Sequence, residues 1–264
     1  MLDLFTQSKN IILQAGEMLK TAFYQEKNIS TKSNQYDLVT DTDKAIEAFL
    51  IENLGKICPD SQFLAEESDS VYKTADKLWV IDPIDGTTNF VHKFPFTCIS
   101  VAFKLNGKLE YGFVYNPIMG EFFTAQRGKG AYLNGKRIYV SKEDDFGKSF
   151  LATGFAYGFA SAKIDNIEIF RDTLSKVHAV RRAGSAALDL CYVALGVFDG
   201  FWEFSLKAWD VCAGIIIVQE AGGKVTNLNF EKWAFSDDLI IASNGILHNH
   251  FLEHLASNIK KQMD

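Results

Sequence analysis

The chain has 264 residues, 47% hydrophobic and 23% charged, an ordinary globular balance and long enough to bury a full core. A net charge of -6 and a pI near 5.4 exclude a broad basic footprint for nucleic acid. No apolar run is long enough for a membrane span, and Asp3, Gln7 and Lys9 interrupt any signal-peptide core in MLDLFTQSKN, so a soluble, cytoplasmic protein is expected.

Residues 3–24 carry a helical stripe of Leu4, Ile11, Ile12, Ala15, Leu19, Ala22 and Phe23. A polar stretch over 25–37 breaks it and contains Lys32, which suits a mobile loop over a site. A second helix is predicted over 42–54, with Ile46, Phe49, Leu50 and Leu54 on its apolar face and Asp41 or Thr42 as its cap. Strands over 62–65 and 78–81 lead to Glu66 and Asp82. Strands over 98–105 and 109–115 flank Asn106-Gly107, a type I′ hairpin signal; another follows over 121–125, with a second Asn-Gly turn at Asn134-Gly135. The first half therefore reads as helices followed by an antiparallel meander.

In the second half, strands over 149–153, 178–182, 198–204 and 239–242 alternate with helices over 164–176, 185–195, 209–220 and 246–261. Ser185 suits the cap of its helix, and Gly222-Gly223 ends the third of these helices with residues that tolerate positive φ. The interleaving favours a layered α/β or α+β sandwich. With no repeat or clear linker, residues 1–264 read as a single domain of two subdomains, about 1–145 and 146–264. Cys58, Cys98, Cys191 and Cys212 form no C-x-x-C pair and read as reduced, mostly buried thiols.

The chemistry concentrates in carboxylates. Asp82 follows the apolar run Leu78-Trp79-Val80-Ile81, where an unpaired charge is expensive, and Asp85 comes three residues later. A turn at Pro83 could aim both at one point, with the Ile84 carbonyl as a further oxygen ligand for a hard divalent ion. Gly86 lets a ligand approach the backbone, and a helix starting at Thr87 would turn the Gly86 and Thr87 N–H groups outward as a phosphate cradle. Glu66 gains meaning only from the strand that could deliver it to the same edge. Asp210 is a plausible helix N-cap, which is compatible with holding a metal. Asp37, Asp41 and Asp43 are explained equally well by caps and solvation, although Asp43 could also bond the Thr87 hydroxyl and help take a proton from water.

Weaker signals are read conservatively. Gly128-Lys129-Gly130 is a tight turn rather than a dinucleotide site, and His248, His250 and His254 are expected on a solvated face rather than around a metal. Arg181-Arg182 is balanced between a surface pair and an anion-steering role. No Ser-His-Asp order or G-x-S-x-G is present.

DPIDGTTNF (82–90), WDVCAGIIIVQEAGG (209–223) and LAEES (64–68), in this order and spacing, resemble the inositol monophosphatase family. DLVTDTD (37–43), Arg182 to Ala187 and Phe201-Trp202-Glu203 share the likeness, which runs from about residue 30 to 245. The resemblance implies a layered αβαβα sandwich and a magnesium-dependent, lithium-sensitive phosphatase, commonly a homodimer. It implies one Mg²⁺ on Glu66, Asp82 and the Ile84 carbonyl, a second on Asp82, Asp85 and Asp210, and room for a loosely held third near Glu66. Substrate contacts would fall on Asp85, Gly86, Thr87, Gly184, Ser185, Ala186, Glu203 and Asp210, with Lys32 in the family's mobile loop. The implied catalytic groups are Glu66 and the Thr87–Asp43 pair, which orient water and accept its proton. The implied substrate is a small phosphorylated polyol or sugar, inositol 1-phosphate first. Fructose 1,6-bisphosphate, histidinol phosphate, nucleotide bisphosphates and NADP are the alternatives within the same chemistry, and a partner in the transcription machinery is the alternative outside it. Ser205-Leu206-Lys207-Ala208, before Trp209, departs from the animal enzymes and looks bacterial.

Overall fold

The computed structural model describes residues 3–26, 28–31, 38–68, 75–155 and 164–263. Two helices come first: α1 (Leu4–Tyr24), capped by Asp3, and α2 (Asp41–Ile57). Between them a short pair, β1 (Ile29–Thr31) and β2 (Leu38–Thr40), runs antiparallel. The cap of α2 is Thr40, not Asp41 or Thr42: its side chain accepts the Thr42 N–H, and Asp43 accepts the Thr40 N–H in return. Lys32 and Asp37 lie outside the described residues.

The meander follows as β3 (Gln62–Ala65), β4 (Lys77–Asp85), β5 (Cys98–Leu105), β6 (Lys108–Asn116), β7 (Glu121–Gln126), β8 (Gly130–Leu133) and β9 (Lys136–Arg137), with a short helix α3 (Thr87–Val91) after β4. These strands form one seven-stranded sheet in sequence order, in which only the β3–β4 pair is parallel. Asn106 and Gly107, at φ 48° and 79°, and Asn134 and Gly135, at φ 49° and 79°, make the expected left-handed turns.

The remaining elements are β10 (Phe150–Thr153), α4 (Asn166–Leu174), β11 (Ala179–Arg181), α5 (Ala186–Ala194), β12 (Gly200–Phe204), α6 (Ala208–Glu220), β13 (Lys224–Thr226), β14 (Leu239–Ser243) and α7 (His248–Met263). Their sheet runs β11-β10-β12-β14-β13, parallel over its first three strands and antiparallel on both sides of β14.

Alternation along the strands sorts the core into layers. Trp79, Ile81, Val101 and Phe113 pack on α1 and α2 through Ile12, Leu19, Ile46 and Leu50. Their neighbours Leu78, Val80, Ala102 and Val114 face the other way, onto α5 and α6, which also cover Phe201, Ile240 and Ala242 of the second sheet. The far side of that sheet, with Leu151, Trp202 and Ile241, is closed by α7 and by Ile169 of α4. The order is therefore αβαβα, as the family resemblance implies. No helix among the described residues is long and apolar enough to cross a membrane.

Three expectations resolve at this level. All four cysteines are buried and free. Gly128-Lys129-Gly130 is a turn, and the Glu220 carboxylate of α6 accepts its two glycine N–H groups at 2.8 Å each. The histidines, however, do not form a solvated face. His248 is fully buried and bonds the hydroxyls of Thr226 and Ser243, each at 2.9 Å. His254 is buried against the Thr173 hydroxyl at 2.9 Å, and only His250 is exposed, stacked on Phe146. The apolar stripe of α7 was legible, but hydroxyl partners from distant strands were not.

Burial pushes both His248 and His254 down to about 4. A histidine pKa lowered by folding stabilises above the unfolded value of about 6.5, and that stability is lost as pH falls towards 4. Each imidazole should then cost on the order of 2 kcal/mol. Urea unfolding at pH 7 and pH 4.5 checks this: the wild type should lose more stability across the interval than a variant carrying His248→Gln and His254→Gln.

Candidate active site

β4 sets the position of the first carboxylate. Leu78 and Val80 point into the α5–α6 layer, and Asp82, after the apolar run, has the same parity and is 2% exposed. The strand does not stop there. Asp82 pairs with Ser100 and Asp85 with Cys98, so one extra residue bulges out of β4 around Pro83, which has no N–H to give a ladder. The sequence suggests a turn leaving the strand; the structure makes it a bulge within it. The bulge is closed by the Ile84 N–H donating to Asp82 Oδ1 at 2.9 Å.

Asp85 reaches across to the second half of the chain. Its Oδ2 accepts the Ser185 hydroxyl at 2.6 Å and the Ala187 N–H at 2.7 Å, at the start of α5. Ser185 is the cap of α5, as expected. Glu66, directly after β3, is held beside β4 by its N–H donating to the Ile81 carbonyl at 3.2 Å. Asp210 differs from expectation: α6 begins at Ala208, so Asp210 is the third helical residue, and its Oδ2 accepts the Lys207 N–H at 2.6 Å. Lys207, not Asp210, is the N-cap.

Gly86 bridges β4 and α3 at φ 82°, and a Cβ there would lie 3.0 Å from the carbonyl oxygens of both Gly184 and Phe96. Only glycine meets both demands. The Thr87 hydroxyl opens α3 and is shared between the Ile84 carbonyl, at 3.0 Å, and Asp43 Oδ1, at 3.3 Å. Asp43 is fully buried beneath it.

These residues line a cleft of about 750 Å³: Glu66, Asp82, Ile84, Asp85, Gly86, Thr87, Gly184, Ser185, Ala186, Glu203 and Asp210 all reach it. Glu203 comes from β12 and is 7% exposed; a Cβ on Gly154 would collide with its carboxylate, so glycine makes room for it. Thr153 turns away from the cleft and gives its hydroxyl to the Trp202 carbonyl at 2.7 Å, whereas Gly154 and Phe155 do line it.

Sequence reasoning missed Asn89 and Asp189. The Asn89 amide donates to the Phe96 carbonyl at 2.7 Å and the Ala183 carbonyl at 2.8 Å, fastening α3 to the loop before α5. Its place inside the Gly-Thr-Thr-Asn run was the only available hint. Asp189 is 1% exposed, one turn after Ser185 on α5. Arg182, left undecided by the sequence, lines the cleft; Arg181 instead covers the Phe150 ring.

The electrostatics are those of an anion cluster. Burial raises Asp82 well above the ordinary carboxylate range, and Glu66, Asp85 and Asp210 add to the shift. Burial also raises Asp85 to about 6, against the Ser185 and Ala187 bonds that pull it down. Asp210 is raised by burial and then by Asp85; Glu203 is raised by burial and then by Asp210, and Arg182 partly relieves it. No ion pair among the described residues reaches Asp82, Asp85 or Asp210. Nor do three His, Cys, Asp or Glu side chains among the described residues already converge as a group that could hold a metal ion. A cation among these oxygens would offset the like charges that raise Asp82 and Asp210.

Comparison with known proteins agrees with this arrangement. The model of the inositol monophosphatase family matches residues 2–263. Human inositol monophosphatase 1 is 38% identical over 240 residues, spanning 88% of this chain and 86% of that protein. The Nus factor SuhB of Pseudomonas aeruginosa is 40% identical over 238 residues, 87% of each. The solved structure of an inositol monophosphatase from Anabaena (Nostoc) superposes with a TM-score of 0.87 at 36% identity, covering 96% of this chain and 95% of that one.

Asn89→Ala should leave two carbonyls without their donor and cost about 1–3 kcal/mol. Asn89→Asp should cost at least as much, because it sets carboxylate oxygen against carbonyl oxygen. Urea midpoints of both variants check this.

Proposed function

The chain belongs to the inositol monophosphatase family, a family of metal-dependent phosphatases, and from that premise we propose a Mg²⁺-dependent enzyme that converts inositol 1-phosphate to inositol and phosphate. Hydrolysis of a phosphomonoester follows from membership itself. The observation that carries the finer reading is a cleft where clustered acids adjoin the N-terminal end of α3.

The donor set suits a hard divalent cation, being all oxygen, partly buried and short of positive charge. Glu66, Asp82 and the Ile84 carbonyl would hold one Mg²⁺, Asp82, Asp85 and Asp210 a second, and Glu66 a loosely held third. When bound, Mg²⁺ supplies neutralisation of phosphoryl charge and a more acidic water. The chain's own residues do the positioning. The Gly86 and Thr87 N–H groups, with Ser185 and Ala186 opposite, cradle the phosphoryl oxygens. Glu66 and the Thr87 hydroxyl orient the attacking water in line with the leaving oxygen, and the proton passes towards Glu66 or, through Thr87, towards Asp43. The Thr87–Asp43 contact of 3.3 Å supports this route. Glu203 and Gly184 meet the alcohol, and Asp210 accepts one of its hydroxyls.

The same reading takes residues 1–264 as one phosphatase domain, whose two subdomains share the site through the Asp85–Ser185 bond. It extends, on family grounds, to a cytoplasmic, lithium-sensitive homodimer with Lys32 in a mobile loop. The likeness to SuhB supports a second reading, a transcription-associated regulator with incidental phosphatase activity.

Side-by-side turnover with Mg²⁺ on inositol 1-phosphate, fructose 1,6-bisphosphate, histidinol phosphate, a nucleotide bisphosphate and NADP tests the substrate. The highest kcat/KM is expected on inositol 1-phosphate, and a clear preference for another would overturn that choice. Asp82→Asn should lower Mg²⁺-dependent turnover more than ~100-fold, beyond the usual cost of losing a partner of a metal ligand. The metal-free variant should melt at the wild-type temperature or higher, because a charge disfavoured by burial is gone. Near-normal turnover would sink the mechanism, and a transcription role independent of catalysis should survive the substitution.

A further inference from the structure

We propose that Glu47 is a positioning residue for Glu66, acting through the backbone turn that follows β3; this rests on the reading of Glu66 as a metal-holding, water-orienting acid. Glu47 sits in the middle of α2 and is 3% exposed, in a helix whose other buried positions include Ile46, Leu50 and Leu54. An apolar residue would pack such a position without penalty, whereas a carboxylate there costs several kcal/mol unless its oxygens are bonded. They are bonded, to the turn carrying Glu66. Oε2 accepts the Glu67 N–H at 2.8 Å, and Oε1 accepts the Ser68 hydroxyl.

The consequence for Glu66 is geometric. Its own N–H is tied to the Ile81 carbonyl of β4, and the next N–H in the chain is tied to α2. The two peptide units flanking its Cα are thus fixed from opposite sides, so the direction in which the side chain leaves the backbone is set by β4 and Glu47 together. β3 itself ends at Ala65, and its ladder with β4 stops at the Ala65–Ile81 pair, one residue short of Glu66.

Asp43 lies one helical turn before Glu47, on the same face of α2. It accepts from the Thr87 hydroxyl as Glu47 accepts from the Glu66 turn. A single buried stripe of α2 therefore braces both groups to which the proposed mechanism gives the water. Neither helix capping nor core packing explains why Glu47 points at residues 20 and 21 positions away; bracing the turn that carries Glu66 does.

The test uses the full chain and reads Mg²⁺ binding by calorimetry beside kcat, KM and the melting temperature. Glu47→Ala should weaken Mg²⁺ binding by about 10–100-fold, with KM for inositol 1-phosphate at saturating Mg²⁺ changed far less. Glu47→Gln keeps an oxygen for the Glu67 N–H and should recover most of the affinity. Glu47→Ala placed on Glu66→Ala should weaken binding little further, since the group being positioned is gone. Wild-type Mg²⁺ affinity in Glu47→Ala, or effects of the two substitutions that multiply independently, would overturn the proposal. If Glu47→Ala does not fold, Ser68→Ala decides: weakened Mg²⁺ binding supports the proposal and unchanged binding overturns it. Glu66→Ala with normal affinity and turnover would instead remove the underlying assignment of Glu66.

Discussion

Several acids buried at one seam, with no Lys or Arg among the described residues paired to Asp82, Asp85 or Asp210, is the constraint on which the structure turns. Isolated burial of even one carboxylate costs several kcal/mol, and like charges beside it raise the cost. The fold meets this locally. Asp82 accepts from Ile84 within its own bulge, Asp85 from Ser185 and Ala187, and Asp210 from Lys207 at the start of α6. In each case one oxygen is fixed by a donor a few residues away or at a helix start. Such bonds set the direction of a carboxylate without supplying a full positive charge. The groups remain poised to gain from a cation, as their raised proton affinities show.

The layered architecture follows from the same seam. Asp82 and Asp85 come from β4, Glu66 from the residue after β3 and Asp210 from α6, while the partners of Asp85 come from the start of α5, so the first sheet and the middle helical layer must keep fixed registers to each other. Asp85 to Ser185 and Asn89 to Ala183 are polar ties across that boundary, about a hundred residues apart in sequence. Around them the packing is apolar and close: a Cβ on Gly112 or on Gly214 would strike a neighbour in the α5–α6 layer at under 3 Å. Such contacts leave little freedom for the sheet to slide on the helices. Polar ties alone would not hold that register, and apolar packing alone would not aim the oxygens.

Where the signal was local, the sequence was readable. Apolar periodicity located the long helices and the central strands, and the two Asn-Gly pairs placed their hairpin turns. Gly86 before Thr87 marked the start of α3, and the buried run into Asp82 exposed the unusual acid. What escaped depended on partners remote in sequence or on reciprocal bonds. Thr40, rather than Asp41 or Thr42, capped α2 through a reciprocal pair of bonds with the helix's first turn. α6 began at Ala208, so Asp210, read as a cap, became the third helical residue. His248 and His254 read as solvated because the hydroxyls of Thr226, Ser243 and Thr173 that satisfy them come from other elements. β1, β2 and β13 are too short for periodicity to register. Glu47 was hidden for the opposite reason: a glutamate in a helix draws no notice until its burial is known.

The cluster also links folding to function. A cation bound only by the folded arrangement would add its binding free energy to stability and offset the repulsion among these acids. Removing an acid should therefore act in opposite directions on the metal-free and the metal-loaded protein, which distinguishes it from ordinary core damage. Glu203, which lines the same cleft, obeys a different logic. Burial raises both Glu203 and Asp189, and the Arg182 guanidinium eases both. The acids and the glycine of the first sheet could therefore be read along the chain, whereas Glu203, Asp189 and Arg182 meet only through the fold.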